Sequence, residues 1–197
     1  MTRIVVCEPL TPAAYAAYGG MISTDVVTDR TVVVNNGTAR RTPEVVPTIN
    51  NYDKAPSGTP GRTVLNVSYA SPREVVPWQG KEGTVAAETT ETSGKRVLRI
   101  KMLERHPYST QSFIPMGGNV KYLVVVSGSG KEAPDLDQLK GFVAGDRQGV
   151  CYAPGVWHAP MSVIDNPVSY AIVQNINGVA SEDCEFYHLD EEIEVVF

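Results

Sequence analysis

Short stretches in which apolar and polar residues alternate with a period of two recur along the chain, and such stretches predict strands rather than helices. Val32-Val33-Val34, Val64 to Tyr69, Val97 to His106, Gln111 to Pro115, Val120 to Val126, Gly149 to Tyr152 and Val168 to Ile176 read in this way. Gly, Pro and Asn residues separate them at short intervals, the punctuation of a sandwich or barrel. The corner Asn35-Asn36-Gly37-Thr38 contains an Asn-Gly step, which favours positive φ. Helical signals occur twice. Thr11 can cap a short helix that starts at Pro12 and ends near Gly19. Leu136, Leu139 and Val143 stand at helical spacing, so a helix is predicted from Pro134 to Ala144 with Gly145 just beyond. From Pro77 to Arg96 apolar periodicity is missing, and residues 77–96 read as a surface insertion in a single domain spanning 1–197. The fold class is mainly β with a few short helices.

Composition narrows the function classes. A chain of 197 residues with 42% hydrophobic and 20% charged residues can bury one good-sized core. Its net charge of -5 provides no basic field for phosphates, so nucleic acid is not expected as a partner. The apolar run Ile4-Val5-Val6-Cys7 is too short for a signal peptide and is broken by Glu8 and Pro9. No other stretch reaches bilayer length, so no membrane partner is expected. Cys7, Cys151 and Cys184 are odd in number and far apart, which fits free thiols in a reducing, cytoplasmic setting.

The candidate chemistry begins in the stretch Val97 to His106. Alternation puts Leu98, Ile100, Met102, Glu104 and His106 on one side and Arg99, Lys101, Leu103 and Arg105 on the other. The first side reads as barrel interior. A carboxylate and an imidazole at its end cost free energy there unless they pair, bind a ligand or meet a metal. Gln111 follows closely, and Trp157-His158 lies far downstream. His188, beside Glu185, Asp190, Glu191 and Glu192, reads as a surface residue.

Glu104-Arg105-His106, then Gln111, then Gly118 resembles the first cupin motif, and Pro154-Gly155-Val156-Trp157-His158 resembles the second. Glutamate stands in place of the motif's first histidine, glutamine in place of its glutamate, and Ser162 in place of an asparagine. Met102-Leu103-Glu104-Arg105-His106-Pro107, with Thr110-Gln111-Ser112-Phe113-Ile114-Pro115-Met116, is similar to the core motif of the ureidoglycolate lyase family. Pro9-Leu10-Thr11-Pro12, Asn35-Asn36-Gly37, Pro134-Asp135-Leu136 and Gln148-Gly149-Val150 extend the likeness over nearly the whole chain outside the insertion.

That resemblance implies a cupin-type double-stranded β-helix barrel, a homodimer, and cleavage of ureidoglycolate to glyoxylate and urea in allantoin degradation. It makes Glu104, His106 and His158 the candidate catalytic groups, because carboxylates and imidazoles can be tuned toward neutral pH. Asn36, Arg40, Arg41, Ser68 and Gln111 become candidate substrate contacts, the arginines for the substrate carboxylate. Tyr69 is the alternative to Ser68. His106, Gln111, His158 and Glu104 could hold a divalent metal, Ni2+ by resemblance, with Zn2+ or Fe2+ equally suited to imidazole; a neutral amide is a weak ligand, so metal dependence stays open. Alternatives are a hydrolase releasing ammonia and carbon dioxide, a metal-dependent oxygenase, and a non-catalytic module binding a small acid.

Overall fold

The alternating stretches form strands in a computed structural model that describes residues 3–80, 94–129 and 132–197. In chain order, the first half contains β1 (Ile4–Pro9), α1 (Pro12–Tyr15), β2 (Gly19–Ile22), β3 (Val32–Val34), β4 (Ala39–Arg41), β5 (Arg62–Ala70), β6 (Val76–Pro77) and β7 (Arg96–Arg105). The second half contains β8 (Gln111–Met116), β9 (Lys121–Ser129), β10 (Lys140–Gly145), β11 (Gly149–Tyr152), β12 (Val156–His158), β13 (Ser162–Ile164), β14 (Val168–Ile176), α2 (Ala180–Asp183) and β15 (Glu185–Val196).

Two sheets face each other. The larger runs β10-β1-β15-β7-β12-β9-β13, with β9 also pairing β10 and β6 pairing β7. The smaller runs β2-β11-β8-β14-β5, and β3 and β4 form a separate hairpin. From β7 onward the chain shuttles between the sheets: β8, β11 and β14 lie in the smaller one, the intervening strands in the larger. This is the winding of a double-stranded β-helix barrel, as the cupin resemblance implies. Between the sheets Tyr15, Phe113, Tyr122, Phe142, Tyr152 and Tyr170 pack edge to face, with ring centroids 5.6 to 6.4 Å apart. A second apolar cluster, Leu98, Ile100, Leu103, Leu123, Val125, Trp157 and Val195, belongs to the larger sheet. Among the described residues no helix is long and apolar enough to cross a membrane.

Several expectations change. The segment predicted as a helix from Pro134 to Ala144 is one 3-10 turn, Leu136–Gln138, capped by Asp135 and followed by β10. Helical spacing of three apolar residues loses there to pairing on both sides: Phe142 opposes Val124 on β9 and Glu8 on β1. Gly141 permits the close parallel approach, since a Cβ there would lie 2.7 Å from Cys7 Sγ. Gly19 does not serve as a helix exit. It opens β2 at φ 145°, where a Cβ would stand 1.9 Å from the Cys151 carbonyl oxygen. The stretch read as an insertion over 77–96 is anchored at both ends, because Pro77 pairs with Arg96 and Trp78 packs against Val97 and Val196. Residues 81–93 of it lie outside the described residues. The Asn35-Asn36-Gly37 corner does take positive φ, at 52°, 52° and 89°.

Candidate active site

β7 delivers Glu104 and β12 delivers His158 to directly opposed positions of one antiparallel pair. His106 follows just after β7, where the turn before β12 holds it: the Gly155 N–H donates to the His106 carbonyl at 2.9 Å, with Gly155 at φ 76°. Gln111 opens β8. The chain thus brings residues from two distant segments together by sheet pairing, and one ligand atom each from Glu104, His106 and His158 lies within 4.8 Å of the others.

Both imidazoles are oriented by backbone. His106 Nδ1 stands 2.6 Å from the Asp183 carbonyl and His158 Nδ1 3.0 Å from the Val156 carbonyl. A carbonyl only accepts, so each Nδ1 donates to its carbonyl and each Nε2 is turned into the pocket. His158 is further fixed by stacking on Tyr152, with centroids 3.8 Å apart and planes 10° from parallel. Its Nε2 lies 3.6 Å from Glu104 Oε1, and Glu104 is the more open of the two, its side chain 19% exposed. Gln111 Nε2 donates to Gln174 Oε1 at 2.6 Å, which leaves the Gln111 carbonyl oxygen as its free end.

Burial and mutual pairing shift two of these groups. Burial pushes the Glu104 carboxyl up, but pairing with His158 and the field of both imidazoles outweigh it, so the net direction is below the ordinary carboxylate value. His106 is lowered, first by burial and then by His158, against weaker opposing contributions from the Asp183 carbonyl, Glu104 and Gln111. At neutral pH the pocket therefore holds a carboxylate beside a neutral His106.

His106 Nε2, His158 Nε2 and Gln111 Oε1 are buried without a hydrogen-bond partner. Leaving each so costs about 1–3 kcal/mol unless a ligand or an ion pairs with it, and three such atoms converge here. Two imidazoles, a carboxylate and an amide oxygen, with each Nδ1–H on a backbone carbonyl, match the donor set and outer hydrogen bonding of a divalent metal site. The residues fit such an ion.

The other expected contacts are not gathered here. Asn36 and Arg41 are exposed on the β3–β4 hairpin. Arg40 donates to the Thr24 carbonyl and lines a cavity with Ile114 and Gly149. On β8, Gln111 and Phe113 point between the sheets and Ile114 points out, so Arg40 reaches the opposite face, roughly 10 Å along the strand. Ser68 sits opposite Tyr170 on the strand beyond β14, and Tyr69 faces outward, 70% exposed. Lys101 and Arg105 point away from Glu104 as expected: Lys101 pairs with Glu192 at 2.9 Å, and Arg105 pairs with Glu185 at 2.6 Å and covers Trp157. Leu98 and Ile100 pack in the second cluster rather than beside Glu104, and Leu103, expected on the opposite side, is buried in that same cluster, so strict alternation does not run the length of β7. His188 is exposed.

Asp183, Tyr52, Tyr152 and Gln174 escaped the sequence reading. The Asp183 carboxylate accepts from Tyr52 Oη at 2.7 Å and from the backbone N–H groups of Asn177 and Gly178 at 2.8 and 2.9 Å. That fixes the carbonyl which holds His106. The one local signal was Asn177-Gly178 ahead of acidic residues, a turn-and-cap pattern; the cross-strand partners left none.

Residues 2–196 match the family described as ureidoglycolate lyase. A ureidoglycolate lyase of Schizosaccharomyces pombe is 34% identical over 197 aligned residues, covering 97% of this chain and 94% of that protein. One from Pseudomonas paraeruginosa is 32% identical over 191 residues, covering 97% and 95%. Among solved structures, a dTDP sugar isomerase of Desulfovibrio desulfuricans G20 aligns with 18% identity and a TM-score of 0.40, over 82% of this chain and 81% of that one.

Proposed function

The chain belongs to the ureidoglycolate lyase family, and on that premise we propose that it splits ureidoglycolate into glyoxylate and urea at Glu104, His106 and His158, as a step of allantoin and purine degradation. The observation that carries the assignment is the convergence of one carboxylate and two backbone-oriented imidazoles within 4.8 Å. Ureidoglycolate bears its hydroxyl, carboxylate and ureido groups on one carbon. A proton leaves the hydroxyl, the O–H electron pair closes the carbonyl, the C–N bond breaks with its pair staying on nitrogen, and that nitrogen gains a proton. One proton leaves and one returns, so no water is consumed.

Glu104 is the base, being held as a carboxylate. The proton it takes is shared with His158, 3.6 Å away, and passes from that pair to the ureido nitrogen. His106, neutral and fixed by Asp183, offers Nε2 to the substrate as an acceptor. Gln111 does the same with its carbonyl oxygen, a match for the N–H groups of a ureido end.

His106, His158, Glu104 and Gln111 would also hold a divalent cation, for which we favour Ni2+, with Zn2+ and Fe2+ admitted by the same imidazoles. Such an ion supplies Lewis acidity that lowers the pKa of the substrate hydroxyl. The free Cys7, Cys151 and Cys184 support a reducing compartment, taken to be the cytoplasm. A homodimer is supported by the outer face of β5, where Leu65 and Val67 are 69% and 70% exposed; light scattering of the purified chain tests it. For the reaction, purified protein incubated with ureidoglycolate should yield urea and glyoxylate in equal amounts. Ammonia in place of urea, or oxygen uptake, would replace the lyase reading by the hydrolase or oxygenase one.

A further inference from the structure

We propose that the cavity on the outer face of the smaller sheet is a second ligand site, shaped for a small organic anion with a carboxylate at one end and an apolar body. The cavity has a volume of about 430 Å³ and lies between the β3–β4 hairpin and the outer sides of β2, β8 and β11. That volume is in the range of small-molecule sites, which combine mostly apolar walls with a few convergent polar groups. Here Ile22, Val45 and Ile114 supply the apolar wall and Arg40 and Arg147 the cationic groups.

The charge balance favours an anion. Arg40 donates to the Thr24 carbonyl at 3.3 Å, and among the described residues neither it nor Arg147 is ion-paired. Asp146, the other charged residue of the lining, already accepts the Asn119 backbone N–H at 3.1 Å. Two guanidiniums without an ion-pair partner against one carboxylate leave the lining net positive, which suits a carboxylate ligand that a guanidinium binds in a two-pronged way. The apolar wall would lie against the body of the ligand. Because Ile114 and Gln111 project from opposite faces of β8, an occupant does not touch Glu104, His106 or His158, and the proposal stands apart from the function assigned to them.

The test is a titration of methyl-labelled protein with benzoate and with benzamide, its uncharged counterpart, read by NMR. Benzoate should shift the methyl signals of Ile22, Val45 and Ile114 saturably, with a dissociation constant on the order of 1 mM for so small a ligand. Benzamide should bind at least tenfold more weakly, and Arg147→Ala should weaken benzoate at least tenfold. Ile114→Trp, which fills the space, should abolish the shifts. The Glu104→Gln protein should bind benzoate as the parent does. Equal binding of benzamide, no saturable shift at these methyls, or loss of binding in Glu104→Gln would overturn the proposal.

Discussion

Replacing Tyr52 with Phe removes one oxygen atom outside the Glu104, His106 and His158 cluster and should nonetheless reach the reaction. The ring is 1% exposed and packs 5.7 Å from Tyr108, so Phe fills the same space and no cavity forms. The hydroxyl has one proton, and the nearer acceptor is Asp183 Oδ1 at 2.7 Å rather than the Asn175 carbonyl at 3.2 Å. Without it, that carboxylate oxygen keeps only the Asn177 N–H. A buried hydrogen bond to a charged group contributes about 1.5–3 kcal/mol, so the loss should be about 2 kcal/mol. For a chain of this length that lowers Tm by about 4–8 °C. Urea denaturation should show a lower midpoint with an unchanged slope. The Asp183 carbonyl holds His106 Nδ1, and loosening the group behind an oriented histidine typically costs about 10-fold or more in activity. The fall should appear in kcat with little change in KM. A Tyr52→Phe protein with Tm within about 1 °C of the parent and full kcat would refute the chain from Tyr52 through Asp183 to His106.

Gly19→Ala should cost at least about 2 kcal/mol in chemical denaturation, since its Cβ meets the Cys151 carbonyl oxygen, which sits in the β2–β11 ladder; Gly58→Ala, at φ 66° with open space around it, should cost only about 1 kcal/mol. The Glu182 carboxyl is held below 4.5, first by the Ser57 hydroxyl and then by Asn177 and the Ser57 N–H, so its contribution is present above 4.5 and is lost as pH falls through the lowered folded value. Glu182→Gln should therefore flatten the acid limb of the stability profile, and an unchanged limb counts against that reading. Calorimetry of metal-stripped protein should detect one Ni2+ per chain, with His158→Ala binding at least tenfold more weakly; equal affinity in the two proteins would remove His158 from the ligand set.

The sequence was readable where one strand carries the chemistry. Glu104, near the end of β7, and His106, just beyond it, come together one residue apart, and the Pro154-Gly155 turn announces the arrival of His158. It was unreadable where the decisive contact is between strands. Nothing near Gln174 or Asp183 shows that one will lie beside Gln111 and the other beneath His106, because pairing partners are set by topology. The β10 segment misled for the same reason: Leu136, Leu139 and Val143 have helical spacing, yet the strands on either side of Lys140–Gly145 supply hydrogen bonds that propensity does not count. The arginines of the polar corner were read as contacts for the substrate carboxylate, and nothing local to them shows that Arg40 reaches the opposite face of the smaller sheet.

The most direct test of the account is the turnover of Glu104→Gln, measured as urea released from ureidoglycolate beside the parent enzyme, with both folds verified by their melting curves. Gln keeps the size of the side chain and removes the base, so kcat should fall by about 10²–10⁴-fold. A Glu104→Gln protein that releases urea at the parent rate would contradict proton abstraction by Glu104.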